Sequence, residues 1–281
     1  MSDYPFDLQA ALSTAERIAR QAGAVLREYY ERPRQSNYKR TVIDLVTEAD
    51  TASEKVVVEA LRTAFPDHHI HGEEGGGYGP APETTPYHWW VDPLDGTTNF
   101  AHRFPVFSVS IALSDAELNP ILGVVFDPTR DETFKGIRGQ GATLNGRPLR
   151  VSEVRDLSEA MVVTGFAYDR WTAEDNNTER FAHFVRRTQG ARRVGSAALD
   201  LSYVAAGRCD MYWEAGPKPW DVQAGLLFVL EAGGSVTDFE GKVSPDAQSG
   251  TRIIASNGYI HEQALNVIRL GDDAPRPQSG K

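Results

Sequence analysis

The densest group of residues that could carry out chemistry is the segment Trp89–Phe100, which reads WWVDPLDGTTNF. It places Asp92 and Asp95 between an apolar strand and a pair of threonines. Gly96 allows a close approach of the backbone to a ligand, and Thr97 suits the start of a helix. Backbone amides at a helix start bind phosphate well, but two carboxylates beside them oppose an anion unless cations intervene. The segment therefore predicts a site for metal ions and a phosphate.

Two further acidic segments can complete such a site. Mg²⁺ prefers oxygen ligands, usually one or two carboxylates together with waters and the substrate phosphate. Two ions about 3.5 to 4 Å apart, bridged by Asp92, can activate a water and stabilise the leaving oxygen. The extra carboxylates are offered by GEEG at Gly72–Gly75 and by WDVQAG at Trp220–Gly225. Each acid taken singly is more typical of a solvated loop or a helix cap. The order of strand, diacid, glycine and paired threonines favours the metal site.

Composition excludes several classes of function. The 281 residues are 41% hydrophobic and 24% charged, as in globular proteins, and their formal charge is −10. This charge argues against nucleic acid and anionic membranes as partners, and no apolar run approaches the roughly 20 residues of a membrane span. Cys209, the sole cysteine, and a first segment without a signal-peptide core predict a cytoplasmic protein. We expect a small phosphate-bearing substrate.

The elements that must position these residues can be predicted from apolar spacing and turn signals. Helical spacing predicts a helix over Leu8–Tyr30, ended by Pro33, and the β-branched segment Thr41–Val46 predicts a strand. A capping box at Thr51 and Glu54 then predicts a second helix. The segment Gly72–Pro82 is expected to be a glycine-rich loop.

Further elements follow from the same signals. Strands are predicted at His88–Val91, Phe104–Leu113, Ile121–Phe126, Glu132–Ile137, Asp210–Trp213, Ser235–Asp238 and Arg252–Ala255. Helices are predicted at Asn177–Thr188, Ala197–Ala206, Trp220–Ala232 and His261–Leu270. We interpret residues 1–155 as an N-terminal α+β subdomain with most metal ligands. Residues 156–270 form a C-terminal α/β subdomain with Asp221 and the substrate-recognition residues, and 271–281 a flexible tail.

The whole set of motifs resembles the inositol monophosphatase family. The matching strings are DLVTEAD at Asp44–Asp50, GEE at Gly72–Glu74, DPLDGTTNF at Asp92–Phe100 with HRFP after it, and WD at Trp220–Asp221 with EAGG at Glu231–Gly234. The strings follow the family's order, and the resemblance as a whole spans about residues 8 to 270. The resemblance implies an α+β fold built as a layered αβαβα sandwich, a homodimer, two or three Mg²⁺ per active site and sensitivity to Li⁺.

The resemblance also assigns roles to individual residues. The implied metal ligands are Glu73, Asp92, the backbone carbonyl of Leu94, Asp95 and Asp221. Thr97, backed by Asp50, would help Glu73 to orient and deprotonate the attacking water, and the amides of Gly96 and Thr97 would hold the phosphate. Lys39 occupies the position of a family loop near the metals.

The substrate side is expected at Gly195, Ser196, Ala197 and Glu214, together with Asp95 and Asp221. The carboxylate of Glu214 can accept hydrogen bonds from polyol hydroxyls. The expected reaction is Mg²⁺-dependent hydrolysis of inositol monophosphate by direct attack of water.

Three alternatives stay open. The substrate could instead be fructose 1,6-bisphosphate, histidinol phosphate or an adenosine bisphosphate. An aspartyl-phosphate mechanism would need a nucleophilic acid with one residue between the two acids, whereas Asp92 and Asp95 are separated by Pro93 and Leu94. The protein could also be a regulatory binding protein whose phosphatase activity is secondary.

Overall fold

The computed structural model describes residues 4–32, 42–167 and 170–275. Its helices are α1 (Leu8–Glu31), α2 (Val42–Ala64), α3 (Thr97–His102), α4 (Thr178–Val185), α5 (Ala197–Ala205), α6 (Pro219–Glu231), α7 (Pro245–Ser249) and α8 (His261–Leu270). Its strands are β1 (His69–Gly72), β2 (Gly76–Tyr78), β3 (Tyr87–Asp95), β4 (Ser108–Asp115), β5 (Pro120–Asp127), β6 (Glu132–Ile137), β7 (Gly141–Leu144), β8 (Arg147–Pro148), β9 (Met161–Thr164), β10 (Gly190–Arg192), β11 (Met211–Ala215), β12 (Ser235–Thr237) and β13 (Arg252–Ser256). No helix in these ranges is long and apolar enough to cross a membrane.

The strands form two sheets, each drawn from its own part of the chain. The first sheet has the order β2-β1-β3-β4-β5-β6-β7-β8, and the second has the order β10-β9-β11-β13-β12. In the first sheet β1 runs parallel to β3, while β3 to β6 form an antiparallel meander. The proposed division into subdomains at residue 155 stays a prediction.

Helices cover both sheets and fill the space between them. Helices α1 and α2 pack on one face of the first sheet through residues such as Ile18 and Leu61. Helices α5 and α6 lie between the sheets, where Phe228 shares a core with Val125. On the outer face of the second sheet, Phe184 of α4 contacts Trp213, and α8 joins the same cluster. The layers are therefore αβαβα, which confirms the predicted α+β sandwich.

One predicted element was wrong. The segment Thr41–Val46 was expected to be a strand, but a helix begins at Val42 and continues to Ala64. Ala49, Val57 and Leu61 are buried at helical spacing, and packing on the sheet outweighs the weak strand preference of the β-branched residues. The capping box at Thr51 and Glu54 was wrong for the same reason, since both residues lie inside the helix.

Other boundaries agree more closely. Strand β6 and helix α8 coincide with the predicted segments, and α6 begins at Pro219, one residue before the predicted start. The predicted loop Gly72–Pro82 contains β2, which pairs with the end of β1. Pro33, Thr41 and Lys39 lie outside the described residues, as do positions 276–281 of the predicted tail.

Candidate active site: a carboxylate-lined cavity between the two sheets

The predicted metal-binding acids come together at one cavity of about 450 Å³. Strand β3 ends at Asp95 and carries Asp92, while Glu73 directly follows the neighbouring parallel strand β1. The backbone amide of Glu73 donates to the carbonyl of Val91 (3.2 Å), so Glu73 continues the pairing beside Asp92. Asp221 reaches the cavity from the first turn of α6.

The turn that carries Glu73 is fixed by a buried acid of α2. Oε2 of Glu54 accepts a hydrogen bond from the backbone amide of Glu74 (2.9 Å), and Oε1 accepts one from the Tyr78 hydroxyl (2.9 Å). A Cβ at Gly75 would lie 1.6 Å from the Tyr78 hydroxyl oxygen, so a larger residue there would have to displace the Tyr78 side chain. Glu54, interpreted from sequence as a capping residue, instead positions this turn.

The segment after Asp92 is also held by side-chain hydrogen bonds. Oδ1 of Asp92 accepts from the amide of Leu94 (2.9 Å), and the hydroxyl of Ser53 donates to the carbonyl of Pro93 (2.8 Å). The Thr97 hydroxyl donates to the carbonyl oxygen of Leu94 (3.2 Å). That carbonyl has a second lone pair and can still accept or coordinate.

Residues at the start of α5 donate hydrogen bonds to the Asp95 carboxylate. Its Oδ2 accepts from the Ser196 hydroxyl (2.5 Å) and the Ala198 amide (2.8 Å), and its Oδ1 accepts from the Ala197 amide (3.2 Å). Ser108 of β4 adds a longer contact to Oδ2 (3.5 Å). The predicted substrate residues Ser196 and Ala197 therefore contact a predicted metal ligand directly.

Asn99 connects the two sheets close to this point. Its side-chain amide donates to the carbonyls of Val106 (2.8 Å) and Val194 (2.9 Å). Gly96 has φ +97°, and a Cβ there would lie 2.9 Å from the Val106 carbonyl oxygen and 3.2 Å from that of Gly195. Only glycine therefore allows the two backbone segments to approach so closely.

Burial and mutual repulsion dominate the electrostatics of the cavity. Burial, reinforced by the charges of Glu73 and Asp95, raises the pKa of Asp92 well above its ordinary value. Burial raises the pKa of Glu73 to about 7, although a hydrogen bond with Asp92 opposes the shift. The pKa of Asp221 is raised by burial and by the charge of Asp95, while hydrogen bonds from the Lys218 amide and Asp92 lower it. The charges of Glu73 and Asp221 thus both act on Asp92.

Asp50 lies behind this group and outside the cavity lining. It is 3% exposed, and its Oδ1 has no hydrogen-bond partner. Burial and the charges of Glu74 and Glu73 raise the pKa of Asp50 to about 8. In this structure the Thr97 hydroxyl donates its hydrogen bond to the Leu94 carbonyl. The role of Asp50 in supporting Thr97 therefore stays a prediction.

The donor set fits hard divalent cations. The cavity lining contains seven carboxyl side chains (Glu73, Glu74, Asp92, Asp95, Asp200, Glu214 and Asp221) and two basic ones (Arg193 and Lys218). In the described residues no group of three or more acids, histidines or cysteines is arranged so that it could hold a metal ion as it stands. Asp92, Asp95 and Asp221 each accept a hydrogen bond from a backbone amide instead. A divalent cation would compensate this buried negative charge, and its preferred ligands are such oxygens.

The predicted polyol-binding residue Glu214 also lines the cavity. It is buried, and its Oε2 accepts from the Tyr212 hydroxyl (2.7 Å). Burial raises its pKa to about 7. Gly165 leaves the space for this carboxylate, because a Cβ there would lie 2.0 Å from Oε2. Gly195 lines the cavity as well, so all predicted site residues except Asp50 surround it.

Sequence reasoning missed two side chains of this lining. Asp200 of α5 is buried beside the cavity, and Arg193, an exposed side chain, also lines it. An available signal for Asp200 was an acid on an otherwise apolar helix. No local signal distinguished Arg193 from Arg192.

Comparisons with known proteins agree with this geometry. Residues 7–270 match the model of the inositol monophosphatase family. The chain is 46% identical to an inositol-1-monophosphatase of Synechocystis over 264 residues, which cover 94% of this chain and 90% of that protein. It is 44% identical to the protein named Nus factor SuhB of Pseudomonas aeruginosa, covering 93% of this chain and 97% of that one.

A solved structure shows the same architecture. An inositol monophosphatase from Anabaena has a TM-score of 0.85 to this structure at 45% sequence identity, and the match covers 95% of this chain and 98% of that one. Each of the four strings that carried the sequence resemblance lies within the matched range. The chain therefore belongs to the inositol monophosphatase family.

Proposed function

We propose that the protein hydrolyses the phosphate monoester of a small polyol, with inositol monophosphate as the favoured substrate, in a Mg²⁺-dependent reaction. The observation that carries this proposal is the convergence of Glu73, Asp92, Asp95 and Asp221, from one strand, one helix and a turn, on one cavity. Such a concentration of buried acids serves no packing purpose and is costly without cations.

The residues that would hold Mg²⁺ are Glu73, Asp92, the carbonyl of Leu94, Asp95 and Asp221. When bound, two or three such ions would neutralise phosphate charge and make a water more acidic. The chain contributes by fixing the ligands beforehand. Asp95 is held by Ser196 and by the α5 amides, and Asp221 by the Lys218 amide at 2.7 Å.

The attacking water would be positioned by Glu73 and Thr97. The Glu73 carboxylate would accept its proton, and the Thr97 hydroxyl, near the Leu94 carbonyl, would orient it. Attack of the water oxygen forms one bond to phosphorus as the ester oxygen leaves, and the alcohol takes up a proton. The backbone at Gly96 and Thr97, which lines the cavity, would hold the phosphate. No enzyme carboxylate becomes phosphorylated in this mechanism.

The leaving alcohol would lie against Glu214 and the segment Gly195–Ala197. Because Ser196 and Ala197 hydrogen bond to Asp95, their effect on the substrate would pass largely through that carboxylate. Glu214 is a buried hydrogen-bond acceptor and so favours hydroxyl-rich alcohols over bare aryl ones.

The acidic cavity supports a monophosphate more than a bisphosphate. Its seven acids and two basic residues leave little compensation for a second phosphate. Fructose 1,6-bisphosphate, histidinol phosphate and adenosine bisphosphate nevertheless stay as alternative substrates for comparison.

A regulatory role is the second candidate, because several similar proteins carry the name Nus factor SuhB. A binding function would not need the acids to act on phosphate. An Asp95→Asn variant that restores normal growth to cells lacking the protein, and that still captures a stoichiometric macromolecular partner, would favour this second role.

A homodimer, Li⁺ sensitivity and a cytoplasmic location likewise stay predictions.

The proposed reaction is tested by phosphate release from a panel of monoesters and bisphosphates with Mg²⁺, with and without Li⁺. We expect the largest kcat/KM for inositol 1-phosphate. Turnover in ¹⁸O-labelled water should place the label in released phosphate and none in the protein. Label in an enzyme carboxylate would contradict direct attack by water.

A further inference from the structure

The acids of the cavity divide into two groups that share Asp95. Glu73, Asp92 and Asp221 act on one another through their charges. Asp200 and Glu214 form the second group. The charge of Asp95 raises the pKa of both residues, and the charge of Glu214 also raises the pKa of Asp200. The first group is the proposed metal site. The second group needs another explanation.

Asp200 is an unusual member of this second group. Its exposed fraction is 1%, it lines the cavity, and its Oδ1 has no hydrogen-bond partner. Burial and the charges of Asp95 and Glu214 raise its pKa well above the ordinary value. A buried, unpaired carboxyl of this kind destabilises the free protein, so we expect a role that appears only when a ligand is bound.

Arg193 provides the opposite charge without satisfying either acid. Its side chain is exposed, yet it lines the same cavity. In the described part of the chain it lowers the pKa of Asp200 and of Glu214 through its charge alone, with no hydrogen bond to either. An exposed guanidinium and two buried carboxyls therefore line the same cavity without a hydrogen bond between them.

A polyol matches this arrangement because a hydroxyl group both donates and accepts. A hydroxyl can donate to one of the two buried carboxylates while its oxygen accepts from the Arg193 guanidinium. A second phosphate fits less well, since its oxygens only accept and would meet Asp200 and Glu214. The arrangement thus favours neutral, hydroxyl-rich leaving groups.

We propose that Asp200 and Arg193 determine specificity by binding the hydroxyl groups of the leaving alcohol, as a subsite additional to Glu214. This inference rests on the proposed phosphatase function and names two residues through which that site selects its substrate. Neither residue takes part in the attack on phosphorus. Their removal should therefore change the ratio of kcat/KM between substrates.

The test compares inositol 1-phosphate with 4-nitrophenyl phosphate, whose leaving group carries no further hydroxyl. For Asp200→Asn and Arg193→Gln we expect kcat/KM for inositol 1-phosphate to fall roughly 10- to 100-fold, mainly through KM. Activity on the aryl phosphate should change by no more than about 3-fold. The matched control is Arg192→Gln, because Arg192 is also exposed but lies outside the cavity lining. It should leave both substrates unaffected.

Two further measurements separate recognition from structure. Thermal unfolding of Asp200→Asn should occur at or above the Tm of the unaltered protein, since the change removes a buried charge. The double variant should lose less than the product of the two single losses, because both side chains bind the same alcohol. If Asp200→Asn fails to fold, Arg193→Gln alone still decides the question.

Several results would overturn the inference. An equal loss of kcat/KM on both substrates would show that the residues act through Asp95 and the proposed metal site. If both variants kept the kcat/KM values of the unaltered protein, Asp200 and Arg193 would have no part in substrate recognition. A loss confined to a bisphosphate would make the subsite anion-binding. If the unaltered protein released phosphate from neither substrate with Mg²⁺, the proposed function itself would fail, which is distinguishable from a failure of the subsite.

Discussion

The hydroxyl of Ser196 lies 2.5 Å from Oδ2 of Asp95, a residue 101 positions earlier in the chain. The same hydroxyl accepts from the Leu199 amide (3.4 Å) and so caps α5. One side chain thus connects the helix between the sheets to a proposed metal ligand of the first sheet. The geometry of the proposed metal site therefore depends on the packing of both sheets.

Removing this hydroxyl should weaken catalysis. We expect Ser196→Ala to lower kcat/KM about 10-fold, because Asp95 loses its shortest hydrogen bond. Loss of the helix cap should cost about 1 kcal/mol of stability. Steady-state kinetics and urea unfolding measure the two effects.

Ser202→Ala provides the control on the same helix, since that hydroxyl donates only to the Ala198 carbonyl. It should retain full activity, and Ser196→Thr should restore most of what Ser196→Ala loses. Wild-type kinetics for Ser196→Ala would mean that the hydroxyl does not orient Asp95.

Gly96→Ala should destabilise the protein more than a comparable change elsewhere. The left-handed backbone alone costs a Cβ-bearing residue about 1 to 2 kcal/mol. At Gly96 the Cβ would also press on the Val106 carbonyl at 2.9 Å. The free energy of unfolding from urea titration reports the sum.

Gly139→Ala isolates the backbone contribution, because φ there is +74° and a Cβ would meet nothing within 4 Å. The difference between the two variants measures the contact with Val106. Equal destabilisation would show that the segments can separate without loss.

Binding of Mg²⁺ should be visible in thermal unfolding without any turnover. We expect Mg²⁺ to raise the Tm of the unaltered protein, because a ligand that binds only the folded state stabilises it. Asp92→Asn should lose most of this shift, and its Tm in chelator should be no lower, since one buried acid is removed.

Asp127→Asn is the matched control, because Asp127 is equally buried but is paired with Arg130 outside the cavity. It should lower the Tm and keep the Mg²⁺ shift. A full Mg²⁺ shift in Asp92→Asn would contradict the role of Asp92 as a ligand.

Stability should fall in mild acid because of His68. Its Nδ1 accepts from the indole of Trp89 (3.1 Å), and burial lowers its pKa from 6.5 to about 4, although the charge of Asp67 opposes the shift. Between these values the unfolded chain binds a proton that the folded protein does not. Folding stability contributed by this site is therefore full above about pH 6.5 and decreases towards pH 4, by at most about 1.4 kcal/mol per pH unit.

The contribution of His68 is obtained by comparing urea unfolding of the unaltered protein and His68→Gln at pH 7 and pH 5. The variant should be less stable at pH 7 but less sensitive to the change in pH. Identical pH dependence of the two proteins would show that His68 titrates normally.

Much of the site could be predicted because its residues are concentrated in short motifs. Asp92 and Asp95 lie on one buried strand that Gly96 follows, and the fold brings Glu73 and Asp221 to the same cavity. The strand and helix boundaries around them follow from apolar spacing, which is strong where one face is buried.

The remainder depends on contacts between distant residues. No local sequence pattern reveals that Ser196 donates a hydrogen bond to Asp95, or that Glu54 accepts one from the turn that carries Glu73. The strand predicted at Thr41–Val46 was wrong because the preference of β-branched residues for a strand is weak and packing overrides it. Asp200 was missed because an acid on an apolar helix is meaningful only once its burial is known.

The central claim is tested most directly by phosphate release from inositol 1-phosphate by protein stripped of metal with a chelator. We predict no turnover above background in the stripped protein and recovery on addition of Mg²⁺, with Asp221→Asn lower by at least about 100-fold in the presence of Mg²⁺. Undiminished release in excess chelator would contradict the account.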